Sequence, residues 1–133
     1  MERDDTSVEF AQEVLRLCNI ERENNGVPPL ELDDTICQAA QLRAGEIVTE
    51  FSHTRPDGRE CFTALDEFGV AYMTSGENIA AGQTSPESVV NAWMNSPGHR
   101  ANILNENYGK LGVGYVYDDG AEYRHYWVQM FTD

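Results

Sequence analysis

The stretch Trp93–Leu104, WMNSPGHRANIL, divides the chain into a helical part and a β part. Ser96-Pro97-Gly98 cannot continue the helix that carries Val89, Val90, Trp93 and Met94, because proline lacks the backbone donor and its ring clashes with the preceding turn. His99 stands directly after the break, at the start of a further turn. Downstream, KLGVGYVYDD (110–119) and YRHYWVQMFT (123–132) show partial alternation, and Asp118-Asp119-Gly120 supplies turn chemistry between them. Helices first and a hairpin last predict an α+β fold, with helices packed on a small, mainly antiparallel sheet.

Working upstream, Val8, Ala11, Val14, Leu15 and Cys18 recur at helical spacing, so residues 7–24 read as an amphipathic helix capped by Thr6 or Ser7. Asn25-Gly26 and Pro28-Pro29 end it. LELDD (30–34) is extended and ends at a cap, Asp33 or Asp34. A second helix runs to about Glu50, with Ile36, Ala39, Ala40, Ala44, Ile47 and Val48 inward. FSHTRPDGRE (51–60) is a loop, and CFTALDEFGV (61–70) a short helix closed by Gly69. AYMTSGENIAAGQTS (71–85) reads as irregular and glycine-rich. Pro86 then opens a helix as a first-turn proline.

With 133 residues, 41% hydrophobic and 24% charged, the chain suits one globular domain with its own core. A net charge of -14 argues against nucleic acid or an anionic membrane as partner, since both need lysine and arginine. No apolar run approaches the roughly 18 residues that span a bilayer. The opening MERDDTSVEF has no apolar signal-peptide core, so the chain is either cytoplasmic or one domain of a longer precursor. Cys18, Cys37 and Cys61 make no metal-binding spacing. Cys18 and Cys37 read as small buried hydrophobes, and Cys61 could pair with one of them in an oxidising compartment.

Three residues could carry chemistry. His53 and His99 each adjoin turn residues that can aim a side chain into a cleft, whereas His125 reads as a sheet-surface residue. Glu77, among Gly76 and Asn78, reads either as a hydrogen-bond acceptor in a tight turn or as a site acid. Two imidazoles and a carboxylate suit a divalent metal, zinc most naturally, or general acid–base work near neutral pH. The three lie too far apart in sequence for local structure to unite them, unlike a HExxH helix.

Five blocks stand in order: FSHTRPDG (51–58), GENIAAG (76–82), AWMNSPGHRANIL (92–104), LGVGYVY (111–117) and YWVQMF (126–131). In these, and in the opening VLRLCNIERENNGVPPLELDD (14–34), the chain resembles the CAP superfamily of cysteine-rich secretory, antigen 5 and plant pathogenesis-related proteins, in its compact bacterial branch. The resemblance implies an α-β-α sandwich over residues 1–133, with residues 1–6 a flexible lead. It implies a cleft formed by His53, Glu77 and His99, with His53 and His99 as metal ligands. Members with the full cleft carry a second glutamate about three residues after the helix tryptophan, here Trp93. Ser96 stands at that position, so zinc or another divalent cation is expected to bind weakly, with fewer than three protein ligands.

The same resemblance implies a secreted or surface-exposed bacterial domain, monomeric and not transmembrane, that binds a lipid, cell-wall or host component. The alternative is a metal-assisted, peptidase-like hydrolase in the same cleft, with Glu77 activating water. Trp93 is expected to pack, Arg100 and Asn102 to hold their loop, and Trp127 and Gln129 to support the sheet.

Overall fold

The computed structural model describes residues 4–133. In chain order the elements are α1 (Asp5–Asn24), β1 (Glu31–Leu32), α2 (Asp34–Thr49), α3 (Thr63–Glu67), β2 (Ser75–Ala81), α4 (Pro86–Met94), α5 (Pro97–Ile103), β3 (Lys110–Tyr117) and β4 (His125–Thr132). The strands lie in the order β1-β3-β4-β2. β1 runs parallel to β3, and the other two pairings are antiparallel. Helices cover both faces, which makes the α-β-α sandwich. Among the described residues no helix is long and apolar enough to cross a membrane.

Strand alternation builds two cores. Leu111, Val113, Tyr115, Trp127 and Phe131 pack with Ala11, Val14 and Cys18 of α1 and with Val89, Val90 and Trp93 of α4. On the opposite face Tyr126, Val128 and Met130 meet Ile36, Ala39, Ala40, Ala44 and Ile47 of α2. β3 sends Gly112 and Gly114 to the α2 side. A Cβ at Gly112 would overlap the backbone of Ile36 and Cys37, and one at Gly114 the Ala40 carbonyl. The helix backbone therefore rests directly on the strand, which explains both the glycines and the alanine-rich helix face.

Several boundaries differ from the sequence expectation. α1 begins two residues earlier, because Asp4 is the cap and its carboxylate accepts from the Ser7 amide at 2.7 Å. Ser7 is itself buried, and its hydroxyl is drawn to the Tyr115 carbonyl at 3.0 Å. Of the expected lead, residues 1–3 lie outside the described residues, and 4–6 form the cap and first turn. The larger correction concerns residues 75–81, which are a strand and not irregular. With Gly76 to Ala80 all buried, β2 is covered on both faces and shows no polar alternation. Gly76 is required there because the Tyr108 ring occupies the space of its side chain. The three cysteines are buried and form no disulfide.

Arg22, near the end of α1, was not anticipated. It is 1% exposed, and its guanidinium donates to the carbonyls of Pro28, Ile103, Asn105 and Tyr108 at 2.6–3.0 Å. It ties the end of α5 and the approach to β3 onto α1.

The close approach of α2 predicts that Gly112→Ala loses about 3 kcal/mol or more in urea unfolding, since neither backbone can move aside. Gly98→Ala, with open space at its Cβ, is expected to stay within about 1 kcal/mol of wild type.

Candidate functional site

The site is organised by two neighbouring residues of β2. Because successive side chains of a strand point to opposite faces, Glu77 faces α2 and Asn78 faces α5. Each holds one histidine segment. Glu77 Oε1 lies 2.8 Å from His53 Nδ1. The Asn78 amide donates to the His99 carbonyl at 3.1 Å, and its oxygen accepts from Asn102 at 2.9 Å. Gln129 Oε1 accepts a second Asn78 donor at 3.1 Å. Asn102 thus holds its loop, and Gln129 supports the sheet, as expected. Trp93 is buried and donates its indole N–H to the Ile79 carbonyl at 3.2 Å.

Glu77 stands in a strand, and its side chain is 1% exposed. A buried carboxylate needs compensation, and Arg43 of α2 provides it. Arg43 Nε donates to Oε2 at 2.8 Å and Nη2 to Oε1 at 3.1 Å. Arg43 also donates to the Ser52 carbonyl at 2.7 Å and to Glu46 at 2.8 Å. Both Glu77 oxygens are therefore engaged, and the carboxylate lies behind His53 as its hydrogen-bond partner.

The loop bearing His53 is fixed by a second arginine. Arg55, 4% exposed, binds Glu46 through Nε and Nη2, with Nη2 at 2.7 Å, and reaches Thr63 at 2.9 Å and Glu67 at 3.2 Å. The Cys61 amide donates to the His53 carbonyl at 3.1 Å. Ring atoms remain accessible on this rigid base, for the His53 side chain is 58% exposed.

His99 is held differently. Ser96 is the N-cap of α5, yet its side chain makes no cap hydrogen bond. Its hydroxyl lies instead 2.9 Å from His99 Nδ1. A neutral hydroxyl, able to donate or accept, thus occupies the place a carboxylate has behind His53. Burial, with His53 nearby, lowers the pKa of His99 and favours its neutral ring. Both histidines line one cleft of about 540 Å³, walled by Phe51, Ile79, Trp93 and Ser96 among others. Their hydrogen bonds use Nδ1, leaving both Nε2 atoms without a partner among the described residues. A larger groove of about 730 Å³, between α1 and the Gly26–Pro29 segment, contains no histidine and none of this chemistry. His125 lies apart, at the end of β4, 2.7 Å from the Tyr115 hydroxyl.

A second donor group, His53, Cys61 and Glu77, has ligand atoms within 4.8 Å of one another. It suits a cation poorly. Burial, with Glu77 nearby, pushes the Cys61 thiol up to about 12. The Arg43 guanidinium already supplies the positive charge.

Arg43, Cys61 and Asn78 were missed in the sequence. Arg43 did leave a signal, for it falls on the same helix stripe as Ile36, Ala40 and Ile47, where an arginine must find a buried partner.

The family model for the cysteine-rich secretory protein family, CAP, matches residues 15–131. The Bacillus subtilis (strain 168) protein YkwD is 42% identical over 124 residues, covering 92% of this chain and 46% of its own length. An extracellular protein containing an SCP domain from Bacillus anthracis superposes with a TM-score of 0.85 at 31% identity, over 95% of this chain and 41% of that one. An outer surface protein of Borrelia burgdorferi shares the fold, with a TM-score of 0.85 at 23% identity over 99% and 97% of the two chains. The chain thus spans less than half the length of YkwD.

Removing one partner of a buried ion pair leaves the other charge unpaired. Arg43→Ala is therefore expected to cost about 3–5 kcal/mol in denaturant unfolding. Arg59→Ala, whose pairs with Asp57 and Glu67 are exposed, should cost less than about 1 kcal/mol.

Proposed function

This chain belongs to the cysteine-rich secretory protein (CAP) family, and on that premise we propose that it is an exported bacterial binding domain. Its cleft between His53 and His99 takes a ligand met at or beyond the cell surface, and a divalent cation such as zinc is a weakly held accessory. The observation that carries this reading is the engagement of both Glu77 oxygens by Arg43 and His53. That carboxylate is not left to ligate a metal or to activate water. The extracellular and outer-surface settings of the Bacillus anthracis and Borrelia proteins support export.

The donor set fits a divalent cation in part. His53 and His99 would hold it through Nε2, but two neutral nitrogens fall short of the three protein ligands usual for catalytic zinc. A bound ion would polarise an oxygen of the ligand. Behind the ligating atoms, Glu77 fixes the His53 ring, while Ser96 fixes the His99 ring less firmly. Hydrogen-bond partners behind ligating rings tune metal affinity about 10–100-fold.

One observation favours a second reading, metal-assisted hydrolysis in the same cleft. His53, which lines the cleft, is backed by a carboxylate through Nδ1, which leaves Nε2 to act as a base.

Zinc titration and elemental analysis at about pH 7.5 separate these readings. Weak zinc binding is expected for the wild type. His53→Ala and His99→Ala should each lose it. Ser96→Glu, which would place a carboxylate behind His99, should tighten it about 10–100-fold. Zinc binding unchanged in both histidine variants would remove the cleft as the ion's site. Turnover of a peptide or ester abolished by chelator and by His53→Ala would establish the hydrolase instead.

A further inference from the structure

The free edge of β2 provides a recognition element that the histidines do not. Among the described residues β2 is an outer strand of the sheet, paired only with β4. Its hydrogen-bonding phase follows from Gly82, whose amide donates to the His125 carbonyl at 2.8 Å. In an antiparallel pair the backbone groups of alternate residues turn toward and away from the partner strand. Even-numbered residues of β2 therefore face β4, while Ser75, Glu77, Ile79 and Ala81 present N–H and C=O to the open edge.

Three carbonyls of that edge are closed by side chains. The Tyr108 hydroxyl donates to the Ser75 carbonyl at 2.9 Å, Asn102 to the Glu77 carbonyl at 3.3 Å, and the Trp93 indole to the Ile79 carbonyl at 3.2 Å. The series stops at Ile79. The amides of Ser75, Glu77, Ile79 and Ala81 and the carbonyl of Ala81 have no partner among the described residues. Of these residues, Ile79 and Ala81 line the cleft that contains His53 and His99. Ile79 is 7% exposed, so its amide has little water to bond other than what the cleft admits.

We infer that the cleft binds an extended peptide segment, which adds to the sheet by pairing its backbone with Ile79 and Ala81 of β2. This rests on the reading of the cleft as a ligand site and names the ligand's class. Two donors about 6.8 Å apart, two residues along a strand, with an acceptor on the second residue, match the repeat of another strand and not the irregular hydroxyls of a sugar. A lipid chain would leave the amides unpaired, at the cost of a buried donor without an acceptor. Once bound, the peptide would send alternate side chains to the two faces of the sheet. One wall offers Phe51, 52% exposed, and the other the exposed Ala92. A chain of net charge -14 selects neutral or basic peptides over acidic ones.

The test uses the whole chain and a positional-scanning library of N-acetylated, C-amidated hexapeptides, read by fluorescence anisotropy and by amide and imidazole NMR. Binding is expected to shift the Ile79 and Ala81 amide protons and the His53 and His99 ring signals together. N-methylation of the best peptide should weaken binding at least 10-fold at alternate positions and leave the intervening positions nearly unaffected. Ala81→Pro removes an edge donor at a position where proline is tolerated in an outer strand, and should abolish binding with the fold retained. If Ala81→Pro unfolds the chain, the N-methyl series decides. Peptides that shift the histidine rings without the Ile79 and Ala81 amides, or that bind equally when N-methylated, would overturn edge pairing and leave the cleft a ligand site. No binding by any library member at 1 mM, roughly −4 kcal/mol, would overturn the peptide class, while the zinc titration judges the cleft independently.

Discussion

The seating of α2 on β3 sets the distances on which the site depends. Gly112 and Gly114 let the helix backbone touch the strand, and the small residues Ala39, Ala40 and Ala44 keep the layer thin. At that separation Arg43 extends under the sheet and reaches Glu77 with two donors while also binding the Ser52 carbonyl and Glu46. A bulkier interface would lift the helix and leave Glu77 as a buried charge without a partner. Packing between backbones thus decides an electrostatic arrangement two strands away.

From this arrangement comes an asymmetry between two chemically identical side chains. His53 is aligned by a carboxylate that is itself pinned by an arginine, on a loop tied down by Arg55. His99 is aligned by the hydroxyl of Ser96 and by a backbone contact with Asn78. The first ring is oriented by charge and the second by a group that can donate or accept. The open end of the β2 edge lies in the cleft they share.

Much of the framework was legible in the sequence. Helical spacing gave α1, α2 and α4 to within a few residues, the Ser-Pro-Gly break separated α4 from α5, and alternation gave β3 and β4. The family blocks placed His53, Glu77 and His99 in one region. The strand β2 was not legible, because alternation marks a strand with one wet face, and this one is buried on both. For the same reason Glu77 read as a turn residue, when its surroundings are those of a covered strand. Arg43, a charge on an alanine-rich stripe, hinted at a buried partner without indicating which acid it would be.

The sequence by itself determined the elements that arise from local physics: periodicity and the breaks at proline and glycine. Tertiary structure alone decided the partners. The union of Arg43, Glu77 and His53, the burial of Cys61 beside them, and the side chains closing the β2 edge join residues distant in the chain. Such contacts depend on sheet order, strand register and helix height, which arise when the layers pack and leave no local trace in residue spacing.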